Sequence, residues 1–290
     1  MGVFFFGMGY SSRATARALH LLVDPEIPVA GTTRSADGAE AFADTNYRIH
    51  VFDGEVPGPT VREDVRQATH VILSIPPDER GDPALNLHRA DLDAAPNLEW
   101  LGYFSTVGVY GDFNGEWIDE DAPTRPLNPR SRQRVEAEEA WRAYAKERGV
   151  PLFIERLAGI YGPGRSAFDK LREGTARRIV KPGQVFNRIH VADIGRITAR
   201  AAQAKLEGTF NLTDSEPAPP QDLVTYAAQV MGIEPPPEVP FDTAEMTPMA
   251  KSFYSDNKRV SSKRVLEALG TDLLYPTYRE GLDAIWNSHQ

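Results

Sequence analysis

The chain has 290 residues, 41% hydrophobic and 25% charged, the balance of a folded globular protein whose core needs no staples. With 32 basic against 41 acidic residues the net charge is −9, which speaks against general attraction to nucleic acid or anionic lipid; the lack of cysteine excludes disulfides, thiolate metal sites and thiol catalysis. No apolar run reaches the roughly 18 to 20 residues of a membrane span and the start has no basic signal region, so we expect a cytoplasmic protein with neither membrane nor nucleic-acid partner.

Along the chain, short apolar runs at Val3–Phe6, Val29–Thr32, Arg48–Phe52, His70–Ser74, Leu98–Ser105, Leu152–Arg156 and Phe210–Thr213 predict strands. Several are continuously apolar, as strands buried on both faces of a parallel sheet are. Between them, apolar residues at helical spacing predict helices over Ala14–Val23, Gln133–Arg148, Ala192–Ala204 and Gln221–Met231, and two more at Ser262–Leu269 and Tyr278–Ser288. This alternation predicts an α/β fold with a Rossmann-type, doubly wound parallel sheet and a smaller C-terminal substrate domain. We place the dinucleotide-binding domain at 1–162, with about 189–213 returning to it, and the cap at 163–290. Glu234–Pro240, EPPPEVP, reads as an extended linker, because proline blocks helix and ladder hydrogen bonding.

The strongest local motif is Gly7-Met8-Gly9-Tyr10-Ser11-Ser12, after the first strand and opening the first helix. In that context GxG predicts a nucleotide site: Gly7 allows the tight turn, Gly9 lets backbone approach a pyrophosphate, and the helix start offers N–H groups. Ser12 stands where a third glycine is usual. Ser74, which ends the fourth strand, and Pro76 just beyond it join the expected cofactor set. The second strand runs into Thr32-Thr33-Arg34 with no acidic residue for ribose hydroxyls, which suits a 2′-phosphate and predicts NADP, with NAD the alternative. Asp53 could accept from the adenine amino group, or serve only its own turn.

The stretch Phe104-Ser-Thr-Val-Gly-Val-Tyr-Gly111 resembles the strand-five motif of the extended short-chain dehydrogenase/reductase family, the NAD(P)-dependent epimerases and dehydratases. Arg156-Leu-Ala-Gly-Ile-Tyr-Gly-Pro-Gly164, Ile189-His-Val-Ala-Asp193 and Phe210-Asn-Leu212 are similar to later family segments, in the same order. The resemblance implies catalysis by Ser or Thr, Tyr and Lys, the last two spaced Tyr-x-x-x-Lys. Thr106 matches the Ser/Thr position, but Arg130 stands for the tyrosine and Arg134 for the lysine. Arginine stays protonated and cannot act as a general base. The pattern resembles the atypical, YeeZ-like branch in which the usual residues are missing.

Two readings follow. In one, Tyr110 or Tyr161 replaces the proton carrier, while Arg130 and Arg134 hold a carboxylate or phosphate of a sugar-like or anionic small-molecule substrate. In the other, the protein binds NADP without turnover and acts as a redox sensor or partner-binding regulator. Where nucleotide-sugar enzymes of the family carry a diphosphate-binding arginine this chain has Phe186, with Arg188 nearby. Lys170, Arg172, Arg177, Arg178 and Lys181 form either a solvated face or the mouth of an anionic-substrate site, and Thr247–Tyr254 either a lid or core packing. His20, His50, His70, His88, His190 and His289 show no metal spacing. Relatives dimerise through the helix at Gln133–Arg148, whose dense charge leaves monomer and homodimer both open.

Overall fold

The computed structural model describes residues 1–288; His289 lies outside them. In chain order the elements are β1 (Val3–Phe6), α1 (Tyr10–Leu22), β2 (Val29–Thr33), α2 (Ala36–Glu40), β3 (Arg48–Val51), α3 (Val61–Gln67), β4 (His70–Leu73), α4 (Pro83–Asp93) and β5 (Trp100–Thr106). Then come β6 (Trp117–Ile118), α5 (Pro129–Arg148), β7 (Leu152–Leu157), β8 (Gly159–Tyr161), α6 (Ala167–Arg172), β9 (Arg178–Val180), β10 (Arg188–His190), α7 (Val191–Ala204) and β11 (Gly208–Leu212). The last are α8 (Pro220–Met231), β12 (Glu238–Pro240), α9 (Pro248–Ser252), β13 (Arg259–Val260), α10 (Lys263–Leu269) and α11 (Tyr278–Asn287).

Seven strands form one sheet in the order β11-β7-β5-β4-β1-β2-β3, and the pairs from β3 through β5 run parallel. The order reverses between β1 and β4, which makes the C-terminal ends of those strands the switch point where such sheets bind ligands. β1 shows why the sheet holds: all four residues are buried, with Phe4 and Phe6 in one core alongside Phe52, Val61, Leu92, Tyr103 and Trp141. Side chains alternate along a strand, so Val3 and Phe5 face the opposite layer. There α7 meets α1 closely: a Cβ on Gly195 would lie 2.5 Å from the Ala14 carbonyl oxygen.

The chain divides into two compact units. The first comprises Met1–Thr106, Pro129–Arg156 and Ile194–Phe210. The second comprises Val107–Asn128, Leu157–Asp193 and Asn211–Gln290, of which 289 and 290 are outside the described residues; it thus takes in Val107–Asn128, which the sequence reading left with the first. The second unit holds three two-stranded pairs, β10–β8, β12–β9 and β13–β6, and a small core of Tyr161, Phe168, Ala227, Tyr278, Leu282 and Ile285.

The linker expected at Glu234–Pro240 is corrected at its end: Glu238–Pro240 pairs in parallel with Arg178–Val180. A proline is tolerated here because the ladder has only two strands and Pro240 closes its edge. Side-chain bonds from Arg178 to the Pro236 carbonyl at 3.1 Å and to Glu238 at 2.5 Å hold the same segment. Among the described residues no helix is long and apolar enough to cross a membrane.

Candidate functional site: a nucleotide loop and the rebuilt strand-five end

The loop after β1 is held from both sides. Gly7 adopts φ +97, a left-handed conformation that favours glycine, and a Cβ there would lie 3.2 Å from Ile75 Cγ1. Its amide donates to Thr32 Oγ1 at 2.9 Å, and the Met8 amide donates to the Thr32 carbonyl at 2.7 Å. The Ser74 amide donates to the Phe6 carbonyl at 2.9 Å, which brings the end of β4 alongside; Pro76 is exposed.

Gly9 is the N-cap of α1 and supplies no side-chain cap. Around it there is room: a Cβ on Gly9 would meet nothing within 4 Å. The first turn of the 13-residue helix is therefore left for an acceptor from outside. Ser11 and Ser12 are buried, and Ser12 Oγ has no hydrogen-bond partner among the described residues. Tyr10 is half-buried. An open cradle at Gly9, an uncapped helix start and the orphan Ser12 hydroxyl in its first turn fit a dinucleotide pyrophosphate.

At the end of β2 the hydroxyls are already used. Thr32 Oγ1 accepts from Gly7, and Thr33 Oγ1 donates to the Ser35 carbonyl at 3.1 Å. Ser35 Oγ in turn caps α2 by accepting from the Gly38 amide. Arg34 is exposed and carries no hydrogen bond or ion pair among the described residues. Asp53 is exposed, with Oδ1 accepting from the Glu55 amide at 2.9 Å.

Beyond β5 the first unit contains a charged network that the sequence reading did not assemble. Glu138 is fully buried on α5. It accepts from Ser105 Oγ at 2.6 Å, from Arg156 at 3.1 and 2.7 Å, and from Arg142 at 2.9 Å. Burial alone would push this carboxyl up, but the Arg156 and Ser105 bonds and the Arg142 charge hold it below the usual range. The i,i+4 spacing of Glu138 and Arg142 was the one sequence signal for it.

Arg134, on α5, donates to Tyr103 Oη at 3.0 Å and to the Phe104 carbonyl at 2.8 Å. One arm is thus spent on the strand-five end. Arg130 opens α5 as an exposed guanidinium with no partner among the described residues, and Thr106 is half-buried.

In the second unit both alternative tyrosines are enclosed. Tyr110 is fully buried, its hydroxyl donating to Asn211 Oδ1 at 2.7 Å. Tyr161 is 6% exposed and donates to the Thr277 carbonyl at 3.4 Å. Burial, with Asp214 and Asp193 nearby, pushes its hydroxyl well above the usual phenol range. His190 packs edge-on against Tyr161 and Tyr275, and burial pushes it down to about 4, so its ring is neutral. Its Nδ1 accepts from the Ala192 amide at 3.2 Å.

Arg188 is buried, and its Nη1 donates to the Phe186 and Ala218 carbonyls at 3.0 Å. The basic run disperses: Arg178 bonds Glu238, Arg177 the Glu245 carbonyl and Lys181 the Tyr254 carbonyl, while Lys170 and Arg172 stay exposed. Within Thr247–Tyr254, Tyr254 is buried against Phe186 and Phe241, whereas Met249 and Phe253 are exposed.

Comparison with known proteins gives this geometry its family. The model of the NAD-dependent epimerase/dehydratase family matches residues 84–212. A solved structure from Silicibacter pomeroyi, of a conserved protein of unknown function, is 42% identical with TM-score 0.88, covering 100% of this chain and 99% of its own. Over residues 84–212 the chain carries the domain of the NAD-dependent epimerase/dehydratase family.

A structure from Methylobacillus flagellatus, a suggested NAD-dependent epimerase/dehydratase, is 26% identical with TM-score 0.74, covering 99% of this chain and 98% of its own. The 3-diazoavenalumate denitrifying reductase of a Streptomyces species is 25% identical over 181 residues, 57% of this chain; the chain spans 58% of that relative. The family of that domain is NAD-dependent, which supports a nicotinamide cofactor here.

Proposed function

We propose that the protein is an NADP(H)-dependent oxidoreductase acting on a small sugar-like or anionic molecule, through an active site rebuilt around arginine. The observation that carries this reading is the loop at Gly7–Gly9, tied to Thr32 and open at Gly9, running beside a β2 end whose unpaired charge is Arg34. When bound, the nicotinamide supplies or accepts hydride. Gly9 and the start of α1 hold the pyrophosphate, and Arg34 meets the 2′-phosphate.

Arg130, exposed at the start of α5, presents its fork to a substrate carboxylate or phosphate. Arg134 keeps the end of β5 in place through Tyr103 and Phe104 and directs what donors remain to the ribose. Thr106, following Ser105 on that strand end, is the hydroxyl at the family's Ser/Thr position and is half-buried. Tyr110 and Tyr161 remain the tyrosines that could move a proton, although each is buried on a protein acceptor and Tyr161 is a weak acid in that setting. The kinship with a reductase favours reduction over epimerisation.

The replacement of both tyrosine and lysine by arginine, one of them bound to the strand-five end, favours a second reading as an NADP-binding regulator without turnover. A panel of sugar-like and carboxylate substrates, followed by nicotinamide absorbance, separates the two. Turnover lost in Arg130→Ala, or in Tyr110→Phe or Tyr161→Phe, supports the enzyme. Cofactor binding with no turnover on any member, and a partner captured only in one redox state, supports the regulator. Failure to bind either cofactor below about millimolar overturns both.

A further inference from the structure

We propose that Arg13 is the second half of a 2′-phosphate clamp, acting with Arg34 to set preference for NADP over NAD; this rests on the nucleotide reading above. Arg13 is the fourth residue of α1 and exposed. Its Nε donates to the Met8 carbonyl at 3.3 Å, and its guanidinium lies over the ring of Phe42, 4.5 Å from the centroid. Phe42 itself is buried.

These contacts fix where the guanidinium stands. Met8 is bound to β2 by its amide, and its side chain fills the space above Gly31, where a Cβ would lie 2.6 Å from Met8 Cγ. Arg13 is therefore pinned to the side of the phosphate loop that faces β2. Phe42 lies just beyond α2, the helix that follows Arg34. The Arg13 guanidinium thus stands between the Met8 carbonyl and Phe42, and Arg34 is the residue that follows the C-terminal end of β2.

The chemistry at that end is one-sided. Neither arginine has a carboxylate partner among the described residues, and no acidic residue stands between Gly31 and Ala36 to accept from ribose hydroxyls. The threonine hydroxyls are committed to Gly7 and Ser35. A bare ribose would meet two arginines without carboxylate partners and no acidic residue between Gly31 and Ala36. A phosphate monoester, carrying nearly two negative charges at neutral pH, would offset both. The Phe42 face and the Met8 carbonyl hold the Arg13 fork in plane while leaving Nη1 and Nη2 to donate.

The test uses the full chain and two probes that lack nicotinamide, adenosine 2′,5′-bisphosphate and adenosine 5′-monophosphate, titrated by calorimetry. Arg13→Ala should weaken the bisphosphate about tenfold or more while leaving the monophosphate within about twofold. Arg13→Lys should recover only part, since an ammonium lacks the fork. The double variant with Arg34→Ala should lose the preference altogether. Because Arg13 also covers Phe42, melting temperatures are measured for each variant, and monophosphate binding held within about twofold shows that the loop still folds. Equal weakening of both probes by Arg13→Ala, or of neither, overturns the clamp while a wild-type preference for the bisphosphate leaves the NADP reading standing. A wild type with no such preference overturns that reading and the clamp with it.

Discussion

The Gly7 amide donates to the Thr32 hydroxyl at 2.9 Å, so the end of β2 holds the turn that shapes the Gly7–Gly9 loop. Thr32 is 1% exposed, and its removal leaves an unpaired amide in a closed place. Thr32→Val keeps the shape and deletes the acceptor. It should cost about 1 to 3 kcal/mol in denaturant unfolding and weaken NADP(H) in calorimetry. Unchanged stability and affinity would mean that the bond contributes nothing to the loop.

Gly7 and Gly9 make a contrasting pair. Gly7→Ala forces a side chain into positive φ and against Ile75, and should lower both melting temperature and cofactor affinity. Gly9→Ala meets no protein atom and has an ordinary extended backbone, φ −81, so folding should be untouched. If the space above Gly9 belongs to the pyrophosphate, this methyl alone should abolish dinucleotide binding. Full binding by Gly9→Ala places the phosphates elsewhere.

Glu138 and Arg156 form a buried pair, and loss of the guanidinium leaves the buried Glu138 carboxylate with the Ser105 and Arg142 bonds alone. Arg156→Met should destabilise by about 3 to 5 kcal/mol, and the double change Glu138→Leu with Arg156→Met should recover much of that. The Glu138 carboxyl is held low in the folded state, so its stabilisation is present above the unfolded glutamate range and is lost as pH falls through the folded value. Unfolding of wild type and the double variant from neutral to acid pH checks the sign: only the wild type should show this loss.

Glu155 has the opposite sign. It is 1% exposed on β7, accepts from Thr198 Oγ1 at 3.0 Å, and burial raises it from 4.5 to about 8. The folded state therefore keeps a proton that the unfolded chain gives up. Stability is greatest below the unfolded value and falls by about 1.4 kcal/mol per pH unit as pH rises toward 8. Glu155→Gln should flatten the decline of melting temperature between mildly acid and mildly alkaline pH. An unchanged slope would show that Glu155 ionises freely in place.

Much of the first unit could be read from sequence because each β-strand there is a local apolar run between turn residues. β1, β2 and β4 fell within a residue of expectation. The helices α3 and α4 were missed for a physical reason: VREDVRQ and PALNLHRADLD carry too few apolar residues for a clear stripe. Asp82 capping Ala84 and Leu85, with Pro83 at the first position, was the available signal for α4. Pairing of Glu238–Pro240 was invisible because a two-stranded edge depends on its partner Arg178–Val180, 60 residues away in sequence, rather than on local propensity.

The sequence by itself determined the sheet type, the GxG loop and the presence of arginine at 130 and 134, since these depend on residue identity, spacing and the permanent charge of arginine. Only the tertiary structure decided what those residues are doing. It showed that Thr32 and Thr33 spend their hydroxyls on backbone, that Arg134 is held by Tyr103 and Phe104, and that Tyr110 and Tyr161 are enclosed. It also brought Arg13 onto Phe42, 29 positions along the chain. Hydrogen-bond capacity and burial are settled by neighbours distant in sequence, and no local pattern can say which donor is already taken.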